Sequence, residues 1–272
     1  MKVSNTQRLV ETAAMLGIAT VLSMIKLIDL PYGGSVTIAS MLPMIVIAYR
    51  YGTQWGLLAG FAFGAIQQLI GLNTLSWVTT WQSILAVVLL DYIIAFMATG
   101  LGGVFRKGAS QQVSLVLGCI LVGVVRYACH VLSGATVWAG LSIPSNAALI
   151  YSMGYNATYM IPETIVMTIA AFQLGGVLDF RNENITRMII KKEEGTPVIK
   201  WVCGLAILAA LVYDVAAVFS HLQNAESGDF DITGLALVNW TSVAVVTIAA
   251  VAVVLVLVFL FGKHDKKAAP QA

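Results

Sequence analysis

Long runs of apolar residues alternate with short polar stretches along the whole chain, and this pattern predicts eight membrane-spanning helices. A helix needs about 20 mostly apolar residues to cross a bilayer. The second run is short, and the sixth is long enough to begin outside the bilayer. The runs lie at about 8–28, 37–50, 54–72, 82–105, 112–137, 147–177, 199–221 and 236–262. We therefore expect an all-α, polytopic membrane bundle.

Composition and charge agree with a membrane location. Of the 272 residues, 59% are hydrophobic and only 10% are charged, whereas soluble domains carry about 25% charged residues. If the eight helices alternate in direction, nearly all Lys and Arg residues fall on one side. Positively charged loops stay inside, so both termini are predicted to be cytoplasmic in a multi-pass protein of the cell membrane. The net charge of +2 follows from this bias and does not indicate nucleic-acid binding.

A charged segment divides the chain into two blocks. Residues 181–197, RNENITRMIIKKEEGTP, contain no long apolar run and end in a Gly-Thr-Pro breaker. This segment predicts a cytoplasmic linker between a six-helix core at 1–180 and an additional transmembrane hairpin at 198–262, followed by a cytoplasmic tail at 263–272. The last helix of the hairpin is apolar on every face, which suits contact with lipid.

Polar residues on the fifth predicted helix share one face. Arg126, His130, Gly134 and Trp138 are spaced by four residues, so they fall within a stripe of roughly 120°. Such groups are costly in hydrocarbon and often mark functional sites. The missing side chain at Gly134 would leave space for a planar ligand. Alternatively, neighbouring helices satisfy the Arg and His, and the Trp is an anchor at the membrane interface.

The sixth predicted helix presents hydrogen-bonding groups on one side. Asn156, Tyr159 and Glu163 share a face, and Tyr151 and Tyr155 lie one turn earlier. An amide and several phenols offer both donors and acceptors. This set suits a heterocycle whose edge mixes donors and acceptors.

The fourth predicted helix contains a carboxylate among apolar residues, in the segment LLDYIIAF. Asp91 requires a nearby cation to stay charged in such surroundings. Two partners are open: Arg126, giving a structural salt bridge, or a positively charged ligand. Trp77 and Trp81 lie toward the outer end, where aromatic residues also serve as interface anchors.

The first predicted helix carries small residues, Ala13 and Gly17, at a spacing that lets another helix approach closely. The partner helix is either external or part of the same bundle. No nucleotide-binding GxxxxGK[ST] pattern is present, nor HExxH or GxSxG. We therefore expect that the chain does not hydrolyse ATP itself and is not an enzyme. The three cysteines form no CxxC pattern, so no metal or cofactor is expected.

Four blocks within 1–180 together resemble a known family. They are LPYGGSVTIASMLP, LLDYIIAF, GVVRYACHVLSGATVW and IYSMGYNATYMIPE, in this order. They resemble the thiamine-specific substrate-binding subunits (S components) of energy-coupling factor transporters. The resemblance implies a six-helix fold that captures extracellular thiamine. It also implies two kinds of partner, a membrane coupling subunit and a pair of cytoplasmic ATPases, with Ala13 and Gly17 at the docking surface.

The resemblance also implies the substrate-binding residues, by matching position. They are Asp91, Tyr92, His130, Gly134, Trp138, Tyr151 and Asn156. Some family members place a Trp and a Glu in the loop after the first helix, where this chain has Gly34 and Ile38. Trp81 is therefore added to the predicted site as a substitute, with Trp77 as the alternative. The predicted hairpin at 198–262 has no counterpart in the six-helix pattern.

The chemistry of thiamine agrees with these residues, since its thiazolium charge requires aromatic faces and a carboxylate. Two other functions stay open. An S component for another vitamin, or for a thiamine precursor without the permanent charge, would not need Asp91 as a counter-ion. A self-sufficient cation-coupled carrier would use Asp91, Glu163 and Asp214 as proton sites, and its uptake would survive ATP depletion.

Overall fold

The computed structural model describes residues 4–30, 33–140, 145–188, 197–222 and 232–261. The chain divides into two compact units, Met1–Arg187 and Met188–Ala272. The middle of the predicted linker, residues 189–196, and the predicted tail at 263–272 lie outside the described residues.

The described residues form eight helices. They are α1 Asn5–Met24, α2 Leu42–Tyr51, α3 Thr53–Ile70, α4 Trp81–Gly103, α5 Gln111–Gly140, α6 Ser145–Val177, α7 Pro197–Phe219 and α8 Trp240–Phe261. Five of them, α4 to α8, are long and apolar enough to cross a membrane. The prediction of an all-α membrane bundle is confirmed.

Two short antiparallel hairpins interrupt the helical pattern. The first pairs β1, Lys26–Asp29, with β2, Ser35–Thr37. The second pairs β3, Leu178–Asp179, with β4, Thr186–Arg187. Because the first hairpin takes up residues 26–37, the predicted boundaries of the first two helices were wrong here. Hydropathy alone does not separate an apolar strand from the end of an apolar helix.

The short helix α2 lies at the centre of the first unit. It has only ten residues, and those from Leu42 to Arg50 are all buried. It packs among apolar side chains of α3, α5 and α6, including Phe63, Leu115 and Met167. A helix surrounded on all sides in this way does not need a polar face.

Glycines bring α3 and α4 into close contact. Gly56, Gly60 and Gly64 are spaced by four residues and face α4. A Cβ atom at Gly56 would lie 2.9 Å from the Cα atom of Gly100, and one at Gly64 would lie 2.7 Å from the carbonyl oxygen of Tyr92. The two backbones therefore approach closely, as small residues permit in membrane helices. This contact positions α4 against the rest of the unit.

The middle of α4 is wound as a π-helix from Val87 to Ile94, and its end from Ala98 to Gly103 is a 3-10 helix. Widened helical turns of this kind are rare and occur frequently at functional sites. The widened segment contains Asp91 and Tyr92, two of the residues that the sequence singled out on this helix.

The second unit is a helical hairpin in which α7 packs against α8. The hydroxyl of Thr247 on α8 donates a hydrogen bond of 2.6 Å to Oδ2 of Asp214 on α7. Asp214, which the sequence offered only as a proton site of a self-sufficient carrier, thus has a hydrogen-bonding partner across the hairpin.

Candidate functional site

A cavity of about 520 Å³ opens among α1, the β1–β2 hairpin, α3, α4, α5 and α6. Its volume lies within the usual range for small-molecule sites, about 300–1,000 Å³. Six of the eight predicted substrate-binding residues line it: Asp91, Tyr92, His130, Gly134, Trp138 and Asn156. The other two, Tyr151 and Trp81, do not line the cavity.

A series of polar contacts crosses the cavity from α4 to α5. Oδ1 of Asp91 lies 2.8 Å from Nδ1 of His130, and the hydroxyl of Ser133 donates to Oδ2 of Asp91 at 2.9 Å. On the far side of the imidazole, Nη2 of Arg126 lies 3.4 Å from Nε2 of His130. A guanidinium can only donate, so Nε2 is the acceptor and the ring proton is on Nδ1. With this tautomer, the imidazole of His130 donates from Nδ1 to Asp91.

The series of polar contacts continues from α5 to α6 through a buried ion pair. Nη1 of Arg126 lies 3.2 Å from Oε2 of Glu163, and both residues are about 5% exposed or less. The other carboxylate oxygen of Glu163 accepts a hydrogen bond of 2.9 Å from the hydroxyl of Thr37 on β2. The described residues contain no Asp91–Arg126 salt bridge, which was one of the two arrangements open from the sequence.

These contacts set the charge of the cavity. Among the lining residues on the helices, Asp91 and Glu163 are negative and Arg126 is positive, with His130 counted as neutral. At the hairpin, Lys26 and Asp29 are paired at 2.9 Å and cancel each other. The lining therefore keeps one uncompensated negative charge. Such a charge in a partly buried site favours a cationic ligand.

Aromatic rings form one wall of the cavity. Trp138 on α5 is 6% exposed, and its ring packs edge to face on Tyr151 and Tyr155, with centroids 4.7 and 6.0 Å apart. Tyr155 packs in the same way on Tyr159, at 5.7 Å. Trp138, Tyr155 and Tyr159 line the cavity, whereas Tyr151 supports Trp138 from behind. The spacing of four residues along α6 stacks these tyrosines on one face.

The loop between the strands lies against this wall. The backbone N–H of Gly34 donates to the hydroxyl of Tyr155 at 3.0 Å. A Cβ atom at Gly34 would come within 2.8 Å of that hydroxyl and of the Tyr159 ring. A bulky side chain at this position would therefore displace the α6 tyrosines. Ile38, the other position that departs from the family pattern, is 40% exposed.

Neither suggested substitute for the family's loop Trp is seen to fill that role. Trp81 is 70% exposed and lies outside the cavity. The side chain of Trp77 lies outside the described residues. Among the described side chains, Tyr155 and Tyr159 of α6 supply aromatic surface next to the loop.

Asn156 is largely occupied by protein groups. Its Nδ2 donates to the carbonyl oxygens of Ser152 at 2.9 Å and His130 at 3.2 Å, and its Oδ1 accepts from the Tyr159 hydroxyl at 2.6 Å. Only one acceptor position on Oδ1 is left for a ligand. Gly134 faces the same region, where a Cβ atom would collide with the hydroxyl of Ser152. The glycine thus lets α5 and α6 approach as well as lining the cavity.

Several lining residues were not predicted. One of them is Thr74 in the 3-10 turn Leu72–Trp77, whose hydroxyl lies 2.6 Å from that of Tyr92. Gln67 on α3 donates to the hydroxyl of Ser23 on α1 at 2.8 Å. Polar residues near helix ends are common, so the sequence contained no signal for these positions. Glu163, by contrast, was on the predicted α6 face, and its position in the middle of an apolar helix was the available signal.

The fold and the cavity define a class, a multi-pass helical membrane protein with a partly open, negatively charged and aromatic chamber of small-molecule size. Residues 9–179 match the family model described as thiamine transporter protein (Thia_YuaJ). The chain belongs to this thiamine transporter family, and it is a multi-pass cell-membrane protein. The resemblance described from the sequence is thereby confirmed.

Two known proteins are similar to this chain. The chain is 36% identical over 174 residues to the thiamine transporter ThiT of Bacillus subtilis (strain 168), which covers 60% of this chain and 86% of that protein. It is also similar to a solved structure of ThiT from Listeria monocytogenes. That likeness has 25% sequence identity and a TM-score of 0.45, and covers 60% of this chain and 92% of the other.

Proposed function

We propose that this protein binds thiamine and imports it as the substrate-binding subunit of an ATP-driven energy-coupling factor transporter. The observation that supports thiamine most strongly is the single uncompensated negative charge beside an aromatic wall. Thiamine carries one permanent positive charge on a flat ring, and its aminopyrimidine edge both donates and accepts hydrogen bonds. Membership of the thiamine transporter family favours the same ligand.

The charged and aromatic groups would divide the recognition of thiamine between them. The thiazolium is attracted by the carboxylate of Asp91 and by the faces of Trp138 and Tyr155, as cations are by aromatic rings. Asp91 is held by His130 and Ser133, so protein groups fix its position in the cavity. Such preorganisation lowers the entropy cost of binding.

An energy source outside this chain is proposed because its sequence contains no nucleotide-binding motif. The partners are a membrane coupling subunit and two cytoplasmic ATPases. Ala13 and Gly17 lie on an exposed face of α1, and a Cβ atom at Gly17 would meet nothing within 4 Å. This face suits close approach by a transmembrane helix of the coupling subunit. Depletion of cellular ATP should therefore stop uptake.

Replacing Trp138 by Ala is expected to weaken thiamine binding by about 1–3 kcal/mol, since a desolvated aromatic and cation contact is lost. The measurement is calorimetric titration of the purified protein, with quenching of intrinsic Trp fluorescence as a second signal. Trp81→Ala is the matched control, because that exposed Trp lies outside the cavity. Unchanged affinity in a folded Trp138→Ala protein would remove this residue from the site.

Replacing Gly17 by Leu is expected to reduce thiamine uptake by cells while leaving binding by the purified protein intact. The added side chain would block the close helix approach that the docking surface requires. Gly108→Leu is the control, because a Cβ atom there also meets nothing within 4 Å but Gly108 does not belong to α1. If Gly17→Leu leaves uptake unchanged, this face of α1 is not the docking surface.

A further inference from the structure

Helix α1 has two faces of different character. One face is exposed and apolar, with small residues in its middle: Leu9, Val10, Ala13, Gly17, Ile18 and Val21. The opposite face carries polar residues that contact the rest of the unit, including Glu11 and Thr12. The rotation of α1 about its axis therefore decides whether the exposed face is presented to a partner.

A buried ion pair holds the N-terminal half of this helix. Arg50 at the end of α2 binds the carboxylate of Glu11 with two parallel contacts, Nε to Oε2 at 2.9 Å and Nη2 to Oε1 at 3.1 Å. The Arg50 side chain is completely buried, and that of Glu11 is 19% exposed. The hydroxyl of Tyr51 also donates to Oε2 of Glu11, at 2.5 Å. Two-point contacts of this kind fix orientation as well as distance.

Arg50 uses its remaining donors on the segment that follows α6. Its Nη1 donates to the carbonyl oxygens of Phe180 and Asn182, at 2.8 and 3.1 Å, and its Nη2 donates to that of Glu183 at 2.9 Å. A guanidinium has five N–H donors, and all five are used here. A single side chain thus ties together α1, α2 and the backbone after α6.

A second contact fixes the rotation of α1 at the same end. The indole N–H of Trp55 on α3 donates to the hydroxyl of Thr12 at 2.9 Å. The guanidinium of Arg8 lies 3.8 Å above the Trp55 ring. Contacts at two successive turns of one face leave the opposite face pointing away from the unit.

The ion pair is remote from the cavity. The nearest cavity-lining residue on α1 is Ser23, twelve positions further along, which corresponds to about 18 Å in an α-helix. None of the groups around Arg50 named above lines the cavity. A change at Glu11 should therefore leave the ligand-binding groups in place.

We infer that the Glu11–Arg50 pair positions the docking face of α1, which presents its small-residue surface to an apolar transmembrane helix of the coupling subunit. This inference rests on the proposed function. Glu11 and Arg50 are positioning residues, because they act through the orientation of α1 and not by touching the partner. Buried ion pairs add little net stability over apolar replacements, and specification of geometry is one role proposed for them.

The test compares Glu11→Ala with Asp179→Ala in the full chain. Asp179 is the matched control because it is also an acid paired with an arginine, but its partner Arg181 is 56% exposed. In purified Glu11→Ala, hydrogen exchange of backbone amides over residues 5–14 should accelerate by about tenfold, as charge-assisted hydrogen bonds are lost, while thiamine affinity stays within about twofold. Neither quantity should change in Asp179→Ala.

The second readout is thiamine uptake in a host that supplies the coupling subunit and ATPases. Uptake by Glu11→Ala should fall by roughly tenfold, the effect of losing an important interface contact, and Asp179→Ala should behave as the unchanged protein. Glu11→Gln, which can keep part of the contact with Arg50, should lie between the two.

The possible outcomes separate this inference from the proposed function. Unchanged exchange in Glu11→Ala would show that the pair does not hold α1. Faster exchange with unchanged uptake would show that the orientation of α1 is irrelevant to docking, and loss of thiamine binding would make Glu11 a general structural residue. Each of these results overturns the inference. Uptake that survives ATP depletion would instead overturn the proposed function, whatever Glu11→Ala does.

Discussion

Replacing Asp91 by Asn is expected to weaken thiamine binding by about 2–5 kcal/mol, the usual cost of removing one partner from a buried charge interaction. The cavity lining has one uncompensated negative charge, and this substitution removes it. The Asn side chain keeps the size of Asp and can still accept the hydrogen bond from His130. The loss should therefore reflect charge and not shape. Calorimetry with the purified protein measures it directly.

The comparison ligand is an uncharged hydroxymethyl-pyrimidine, which has the hydrogen-bonding edge of thiamine without the thiazolium. Its affinity should fall much less than that of thiamine in Asp91→Asn. Ser133→Ala is the control variant, because it removes a hydrogen bond to Asp91 and leaves the charge. Equal losses for the two ligands would show that Asp91 supports the structure of the site and does not select a cation.

Replacing Glu163 by Ala is expected to destabilise the protein by about 3–5 kcal/mol, because Arg126 would be left as an uncompensated buried charge. Thermal unfolding of the purified protein in detergent measures the effect. The double variant Arg126→Met with Glu163→Met should recover much of the loss, since it leaves no buried charge. If Glu163→Ala unfolds at the same temperature as the unchanged protein, the ion pair is not what holds α5 and α6 together at this depth.

The Glu163 variant also tests the connection between the helices and the β1–β2 hairpin. Thr37 donates to Glu163, and Gly34 donates to Tyr155, so two hydrogen bonds fasten the β2 side of the hairpin to α6. Loss of the first should loosen the hairpin, and the second should keep part of it in place. Hydrogen exchange of the amides from Ser35 to Thr37 would report this difference.

The spacing of polar residues predicted much of the candidate site. Asp91, His130 and Asn156 lie on three different helices, and all three line one cavity. They were detectable because polar groups in apolar helices must find partners or a ligand. Trp81 had no such requirement, since a Trp near a helix end can also face the lipid interface. It is 70% exposed.

Which polar groups pair with which could not be predicted. The sequence left Asp91 with either Arg126 or a ligand, and the structure pairs Arg126 with Glu163 and Asp91 with His130. The two residues of each pair are 37 and 39 positions apart in the sequence. They meet because of the way in which α4, α5 and α6 are rotated and packed against one another. That arrangement depends on close contacts such as the one at Gly134, and hydropathy contains no information on it.

The sequence by itself determined that this protein is a helical membrane bundle, because long apolar runs have no other stable arrangement in a bilayer. It also determined which helices carry polar faces, since periodicity follows from the geometry of a single helix. Only the tertiary structure decided that a β-hairpin replaces the predicted end of the first helix and the predicted start of the second. It also decided that the cavity keeps one negative charge and that Arg50 fastens α1 to the segment after α6. These features depend on contacts between residues far apart in the chain, and such contacts exist only after the helices have packed.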